Sequence, residues 1–261
     1  MKFELDDKVA LVLGGSSGIG LAIAQRLEAA GVKEIILVSR STDKLATAKS
    51  TFCDQGCVSV FACDLSKQAS VDDLIGFLER REVNVDILIN NSGGPKAGDF
   101  FNTDLSDWQG ALQSNFLSYM LVTKHCMKGM IEKSWGRVIN ISSTTAIEPT
   151  AGMIISSSIR AAVSAFSKSL SDSVADKGIS INTICPGGVA TDRLTGLVKA
   201  QAESSGRSYN DTLSDSVAII PKKRFADPLE LASLAEYLCC EEAGYITGRV
   251  IGFDGGLMRS F

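Results

Sequence analysis

A glycine-rich turn between an apolar run and a helical pattern constrains this chain more than any other feature. Residues 9–13 read Val-Ala-Leu-Val-Leu, residues 14–20 read Gly-Gly-Ser-Ser-Gly-Ile-Gly, and an amphipathic pattern opens at Leu21. A buried strand, a tight turn and a helix in that order direct backbone N–H groups and a helix N-terminus at one point. The sequence therefore predicts a dinucleotide site with its diphosphate on the turn.

Three glycines of this turn have a predicted purpose. Gly14 can turn tightly because it lacks a Cβ atom, and Gly18 lets phosphate oxygens approach the main chain. Gly20 lets the following helix pack closely on the strand. The other predicted phosphate contacts in the turn are Ser16, Ser17 and Ile19.

Short apolar, β-branched runs alternate with helical patterns along the chain. The runs lie near 8–13, 34–39, 58–62, 85–90, 137–141, 179–184 and 249–253. The helical patterns lie near 18–30, 43–52, 70–81, 106–133, 156–177 and 228–242. Runs that are apolar throughout indicate strands buried on both faces, as in a parallel sheet covered by helices. The sequence therefore predicts one α/β domain over residues 1–261, a doubly wound Rossmann fold with seven parallel strands.

One polar stretch, residues 193–224, interrupts the alternation. It follows directly on the carboxyl end of a predicted strand, where α/β folds bind their ligands. We therefore expect it to be a lid over the substrate. The alternative is a surface loop that carries one amphipathic helix.

Composition and charge argue against several classes of partner. The chain has 261 residues and a net charge of −4, which disfavours nucleic acid or an anionic membrane surface as the main partner. No apolar run approaches the roughly 20 residues of a membrane span. The first seven residues lack the apolar stretch of a signal peptide. We therefore expect a cytoplasmic protein.

Cysteine and histidine usage gives no sign of a metal site or a disulfide framework. The seven cysteines are not spaced as ligands or disulfide pairs, and they resemble small reduced core residues. His125, the single histidine, lies in a helical pattern, where an ordinary helix residue is the better interpretation. No metal site is predicted, and a serine–histidine or cysteine–histidine nucleophile would have to use His125.

Several motifs, in the same order along the chain, resemble those of the short-chain dehydrogenase/reductase family. The glycine turn fits the family's phosphate loop, and residues 90–93 fit its Asn-Asn-Ala-Gly turn, with Ser92 in place of alanine. Residues 186–192 fit the segment that holds the nicotinamide, and residues 253–256 fit the C-terminal strand used in tetramer contacts. The resemblance covers essentially the whole chain and implies a nicotinamide-dependent oxidoreductase.

The resemblance assigns cofactor contacts residue by residue. Asp64 fits the acidic residue that accepts a hydrogen bond from the adenine amino group. The aspartate typical of NAD-dependent members is missing after the second strand, where Arg40 and Ser39 could bind the 2′-phosphate of NADP. NADP(H) is therefore expected over NAD(H), the alternative being a solvated Arg40. The other implied contacts are Leu65, Asn91, Ser92, Gly93, Pro186, Gly187, Val189 and Thr191.

The catalytic positions depart from the family. Ser143 matches the family's catalytic serine, and Asn115 matches its mid-helix asparagine. Ser156 stands 13 residues after Ser143, where the family has tyrosine, and Arg160 stands where it has lysine. The chain is similar in this to a divergent subgroup of β-ketoacyl carrier-protein reductase-like proteins. The resemblance implies that these four residues line the catalytic site and that Arg160 also binds the nicotinamide ribose.

Each of the four residues also has a plain structural interpretation. Ser143 could be a turn or cap residue, and Asn115 could be a satisfied buried amide. Ser156 could cap a helix, since hydroxyl side chains favour helix starts. Arg160 could form an ion pair at the surface or in an interface. The sequence leaves these alternatives open.

The two substitutions damage the proton-donating half of the site and leave the cofactor half intact. A serine hydroxyl is a far weaker acid than a tyrosine phenol, and a guanidinium stays protonated. Losing a general acid costs about 10²–10⁴ in rate, whereas orienting the reactants can supply roughly 7–11 kcal/mol. We therefore expect an NADP(H)-dependent oxidoreductase that reduces a 3-oxoacyl or similar ketone. The alternative is a dinucleotide-binding protein with little or no turnover.

The long helical patterns also bear on partners. Those near 106–133 and 156–177 carry small and apolar residues suited to packing across a two-fold axis. Together with the C-terminal strand they imply a homotetramer or homodimer. The other expected partner is a small carbonyl or acyl substrate.

Overall fold

The computed structural model describes residues 5–260 and is built around one parallel sheet. Its strands are β1 (Val9–Leu13), β2 (Glu34–Ser39), β3 (Val58–Ala62), β4 (Ile87–Asn90), β5 (Gly136–Ile141), β6 (Ile179–Pro186) and β7 (Val250–Phe253). They lie in the order β3-β2-β1-β4-β5-β6-β7. The strand order therefore reverses between β1 and β4, which leaves a crevice beyond their carboxyl ends. This confirms the predicted seven-stranded, doubly wound sheet.

Nine α-helices connect the strands within the described residues. They are α1 (Gly18–Ala29), α2 (Thr42–Lys49), α3 (Gln68–Arg80), α4 (Leu105–Leu112), α5 (Ser118–Lys133), α6 (Ile154–Val174), α7 (Asp192–Ser205), α8 (Tyr209–Ala218) and α9 (Pro228–Cys239). The predicted strands and helices therefore occur where the alternation placed them, with ends shifted by a few residues.

Two regions differ in detail from the predicted pattern. The helical pattern near 106–133 is divided into α4 and α5 by a π-turn at Gln113–Leu117. The polar insertion 193–224 contains two helices, so the alternative of a loop with one helix is wrong. Thr191 and Ser208 cap α7 and α8, each by accepting a hydrogen bond from the N–H three residues on. Such short polar helices depend on their caps more than on apolar periodicity, which is why the pattern missed one.

Burial on both faces of the sheet explains why its strands are apolar throughout. On β1, Ala10 and Val12 pack beneath α1 and α9, whereas Leu11 and Leu13 pack beneath α3 and α5. All four side chains are fully buried. Since the faces are sealed, ligands can reach the sheet only at the ends of its strands.

Two sequence expectations concern the chain's surroundings. Within residues 5–260, no helix is long and apolar enough to cross a membrane. Residues 1–4, on which the expectation of no signal peptide partly rests, lie outside the described residues.

A chain of buried polar side chains ties the ends of β4 and β5 to the helices behind them. The Asn90 amide nitrogen donates to Asn140 Oδ1 at 2.8 Å and to Thr123 Oγ1 at 3.1 Å. The Asn140 amide nitrogen donates in turn to Ser167 Oγ at 2.8 Å. Both asparagines are out of reach of water. The two strand ends nearest the crevice are therefore held in register by hydrogen bonds as well as by packing.

Asn140→Ala is expected to lower the free energy of unfolding by about 1–3 kcal/mol, because it leaves buried polar partners unsatisfied. The matched control is Asn210→Ala on exposed α8, where a change within about 0.5 kcal/mol is expected. Urea denaturation followed by circular dichroism measures both variants. Equal unfolding midpoints for the two would contradict the stabilising role of the network.

Candidate active site

A cleft of about 520 Å³ opens beyond the carboxyl ends of β1, β2, β3 and β4. Its walls come from the turn after β1, the segments that follow the other three strands, and the start of α7. The predicted cofactor residues in its lining are Gly14, Ser16, Ser17, Gly18, Ile19, Ser39, Arg40, Asp64, Leu65, Asn91, Ser92, Gly93 and Thr191. The predicted cofactor residues outside the lining are Gly20, Arg160, Pro186, Gly187 and Val189.

Two glycines shape the turn after β1. Gly14 has a φ of +63°, in the left-handed region where a Cβ atom is strained. A Cβ atom on Gly20 would collide with the carbonyl oxygen of Gly14. The Asn91 side chain donates to the same oxygen at 3.3 Å. The turn, the start of α1 and the end of β4 are therefore packed closely together, and the cleft lies over the N-terminus of α1, which favours an anion.

The end of the cleft beside β2 and β3 is charged. Arg40 and Lys44 line it together with Ser39 and Asp64. Burial opposes ionisation of Asp64, but hydrogen bonds from Ser66 and the nearby positive charges hold its pKa below the usual value. Asp64 is therefore an ionised acceptor, and the two cations that act on it are Lys67 and Arg40. Sequence reasoning missed Lys44, whose position in the first turn of α2 was the available signal.

The opposite end of the cleft is polar and rests on the π-turn between α4 and α5. Asn115, 1% exposed, donates to Ser92 Oγ at 2.6 Å and to the Gly93 carbonyl oxygen at 2.9 Å. Ser92 Oγ also lies 2.8 Å from the hydroxyl of Tyr119. Asn115 is thus a satisfied buried amide, as in the structural interpretation, and it holds a residue of the cleft wall. Tyr119 was missed, although its place one turn after Asn115 indicated a shared helix face.

Ser143 has the turn-capping role of its structural interpretation, and its predicted role at a substrate carbonyl stays a prediction. Its side chain caps the short turn Thr144–Ala146, accepting from the Thr145 N–H at 3.2 Å and from Thr145 Oγ1 at 3.1 Å. A hydroxyl oxygen has two lone pairs and one proton. Because both lone pairs are engaged, the Ser143 proton is left to donate to another acceptor.

Ser156 lies inside a helix and is not a cap, so that alternative is wrong. Helix α6 begins at Ile154, after the N-cap position Met153. Ser156 is 2% exposed, and its Oγ lies 3.4 Å from Thr145 Oγ1. This long hydrogen bond to Thr145, in the turn that Ser143 caps, is the contact that connects Ser156 to the site.

Arg160 is buried behind the end of β5 and does not line the cleft. Its Nη1 donates to the carbonyl oxygens of Ile141 at 2.9 Å and Ser142 at 2.7 Å. It is 7% exposed, and it takes part in no ion pair with any residue in 5–260, so the surface ion-pair alternative is wrong. Burial lowers the pKa of this guanidinium. The predicted ribose contact would require the side chain to leave these carbonyl groups, and it stays a prediction.

The segment after β6 supports the cleft from outside. Gly187 N–H donates to the Phe253 carbonyl oxygen at 2.9 Å, and Val189 forms a bridge with Ala226. These contacts position Thr191 at the cleft wall. The sequence also missed Arg193, whose Nη1 reaches across the cleft to the Gly94 carbonyl oxygen at 2.9 Å.

The remaining ionisable groups form no metal centre in the part of the chain that the structure describes. No group of three or more histidine, cysteine, aspartate or glutamate side chains there could hold a metal ion. His125 lies 3.7 Å from Glu79, away from the cleft lining.

The amino-acid sequence is similar to a known protein family and to characterised reductases. Residues 8–202 match the family model described as short chain dehydrogenase. The 3-oxoacyl-acyl-carrier-protein reductase FabG of Aquifex aeolicus is 30% identical, with 98% of this chain and 100% of that protein covered. The NADPH-dependent reductase BacG of Bacillus subtilis is 32% identical over 98% of this chain and 100% of the relative.

A solved structure gives the same answer for the fold. The L-sorbose reductase of Gluconobacter frateurii, complexed with NADPH and L-sorbose, superposes with a TM-score of 0.94 at 30% identity, covering 100% of both chains. Fold, glycine turn and full-length similarity agree. The chain belongs to the short chain dehydrogenase family of oxidoreductases.

Proposed function

We propose that this protein uses NADPH to reduce the carbonyl group of a small ketone, such as a 3-oxoacyl compound. The observation that best supports this proposal is a single cleft with three features. It contains a glycine turn at a helix N-terminus, a basic end at Arg40 and a hydroxyl-bearing end at Ser92. The relatives described above are named as reductases, and two of the three are linked with NADPH by name. That supports the same chemistry here.

The cleft has separate places for the parts of the dinucleotide. The diphosphate would lie on the turn containing Gly14 and Gly18, at the N-terminus of α1. Asp64 and Leu65 would hold the adenine, and Arg40 with Lys44 would bind the 2′-phosphate. Arg40 and Lys44 line this part of the cleft, and no acidic residue stands directly after β2, where NAD-dependent members have one; both features favour NADP(H) over NAD(H).

The groups that would handle a carbonyl are proposed to lie at the nicotinamide end, although Ser143 itself is outside the cleft lining. Asn91, Gly93 and Thr191 would hold the nicotinamide and its ribose, and when bound the dinucleotide supplies a hydride. Asn90 pairs with Asn140, so the segments that leave β4 and β5 start side by side. Ser143, with its proton free to donate, would therefore polarise a substrate oxygen from the β5 side.

A second candidate function is dinucleotide binding with little or no turnover. The observation in its favour is that Ser156 is buried and that Arg160 is bound to main-chain carbonyl groups. In this state neither side chain reaches the cleft. Reduction is favoured because orientation can offset roughly 7–11 kcal/mol, more than the loss of one general acid costs.

The insertion 193–224 is proposed as the substrate lid of one functional unit spanning residues 1–261. Arg193 at the start of α7 already bridges the cleft to Gly94. The partner expected beneath it is a small carbonyl or acyl substrate, and nucleic acid is not expected because the net charge is −4. A cytoplasmic location is proposed because all seven cysteines are free.

A homotetramer or homodimer is proposed as the working assembly. Strand β7 ends the sheet, pairs only with β6 among the described strands, and has Val250 40% exposed. Leu105 and Leu112 of α4 are also exposed apolar side chains. These positions lie on the elements that the family resemblance assigns to subunit contacts.

Arg40→Ala is expected to weaken NADPH binding by about 10- to 100-fold, because a charge-assisted hydrogen bond is lost. NADH binding should not change, since NADH lacks the 2′-phosphate. Arg80→Ala, at an exposed position of α3 outside the cleft, is the matched control. Fluorescence titration measures all three proteins. An equal loss of affinity for both dinucleotides would remove the proposed role of Arg40.

Ser143→Ala is expected to lower turnover of a generic diketone by about 10²–10³, the usual effect of losing one oxyanion donor. The NADPH dissociation constant should stay the same because the partner of Ser143 is the substrate. Ser158→Ala, at an exposed position of helix α6, serves as control. Unchanged turnover in Ser143→Ala would show that this hydroxyl does not contact the carbonyl.

A further inference from the structure

The contact between Ser92 and Tyr119 joins the cleft to a buried acid. Ser92 lines the cleft, and Tyr119 lies behind it on α5 with 2% of its surface exposed. Their side-chain oxygens are 2.8 Å apart. A phenol buried in an otherwise apolar cluster usually has one polar partner. Here that partner is a residue of the cleft wall.

The hydrogen bonds around Ser92 define a direction for proton movement. Asn115 donates to Ser92 Oγ at 2.6 Å and so occupies one of its two lone pairs. A hydrogen bond donated by Tyr119 would occupy the other. The Ser92 proton is then left to point into the cleft. With the Tyr119 hydroxyl as donor in this contact, phenol, serine hydroxyl and cleft form a continuous path in which each oxygen donates to the next.

Arg160 supplies the charge that such a path needs. Its guanidinium is buried and lacks an ion-pair partner among residues 5–260. A buried uncompensated cation is unfavourable, and a nearby phenolate would compensate it. Burial raises the pKa of the Tyr119 phenol, and the charge of Arg160 and the contact with Ser92 act in the opposite direction. The phenol therefore holds its proton near neutral pH, beside a cation that stabilises the phenolate.

We propose that Ser92 is the proton donor of this reductase and that Tyr119 reloads it from behind. The proposal rests on the carbonyl reduction proposed above. As the carbonyl carbon gains a hydride with its two electrons, the C=O π pair moves to oxygen. That oxygen bonds to the Ser92 proton, and Ser92 takes the Tyr119 proton in the same step. The phenolate is stabilised by its electrostatic interaction with Arg160 and regains a proton from solvent through Ser92 after the product leaves, while the nicotinamide is left oxidised.

This arrangement resolves the weakness of a serine as an acid. A lone hydroxyl would have to become an alkoxide, whereas Ser92 receives one proton as it loses another. The net acid is a phenol, whose ordinary pKa near 10 is raised here by burial but which stays far more acidic than a serine hydroxyl. Ser92 is thus the catalytic residue and Tyr119 is a positioning residue that acts through it. The vacant tyrosine position at Ser156 is then not needed for proton delivery.

Three variants test the relay in the full-length protein. Ser92→Ala and Tyr119→Phe are each expected to lower turnover of a diketone by about 10²–10⁴, the usual contribution of a general acid. The double variant should be no slower than either single variant, because both act in one step. Tyr245→Phe, at a fully exposed position, is the matched control and should be unchanged. NADPH affinity should be unchanged in Tyr119→Phe and Tyr245→Phe, and turnover of the two variants that carry Ser92→Ala is measured at saturating NADPH because Ser92 lines the cleft.

A second readout does not depend on turnover. A fluorotyrosine placed at position 119 reports the ionisation of this phenol by ¹⁹F NMR in the protein without dinucleotide. Ser92→Ala should raise its midpoint, because the contact with Ser92 lowers the pKa of Tyr119. In the active protein, the more acidic fluorotyrosine should move the alkaline limb of the pH–rate profile to lower pH. A tyrosine with only a structural role would leave the pH–rate profile unchanged, even though its ionisation midpoint still responds to the loss of Ser92.

The outcomes separate this relay from the proposed function. A wild-type protein that reduces ketones, together with a Tyr119→Phe variant of equal turnover and pH profile, would overturn the relay alone. A wild-type protein that binds NADPH but reduces no carbonyl compound would overturn the proposed function, and with it the relay. Loss of turnover at saturating NADPH in Ser92→Ala and Tyr119→Phe supports the relay.

Discussion

The close packing of Gly20 against the carbonyl oxygen of Gly14 is the constraint on which the site depends. It brings the N-terminus of α1 next to the end of β1, and the Asn91 amide fixes the same oxygen from the end of β4. Those two strands flank the point where the strand order reverses, so the crevice and the helix N-terminus coincide. The buried Asn90–Asn140 pair then holds β5 beside β4. Glycine turn, Ser92 segment and Ser143 turn are thereby fixed at one edge of the sheet.

The chain keeps its family's cofactor cleft and changes the groups behind it. Arg160, which the family resemblance assigns to the lysine position, donates to main-chain carbonyl groups and interacts electrostatically with Tyr119. Ser156 is buried in α6. The polar groups that reach the cleft belong instead to Ser92 and its partners Asn115 and Tyr119. In the proposed account the acid is Tyr119 on α5 and not a residue of α6, and Arg160 is the cation that stabilises its phenolate.

The sequence predicted the fold and most of the cleft because these depend on local patterns. Apolar runs and glycine spacing are readable from the chain, and residues such as Asp64 and Thr191 lie where the resemblance implied. The Ser92–Tyr119 contact joins residues 27 positions apart. Tyr119 follows the π-helical segment Gln113–Leu117, which the pattern of apolar residues does not predict. Burial of Arg160 was equally hidden, since an arginine in a helical pattern is usually exposed. Side-chain partners across elements are set by tertiary packing, and the sequence alone did not reveal them.

Transfer of deuterium from NADPH labelled at C4 of the nicotinamide tests the central claim most directly. The wild-type protein would be incubated with the labelled cofactor and a panel of 3-oxoacyl thioesters, diketones and sugars, and the products analysed by mass spectrometry and NMR. The account predicts one deuterium on the carbon that bears the new hydroxyl group, in at least one product. Tight NADPH binding without deuterium in any product would contradict it and leave a dinucleotide-binding protein.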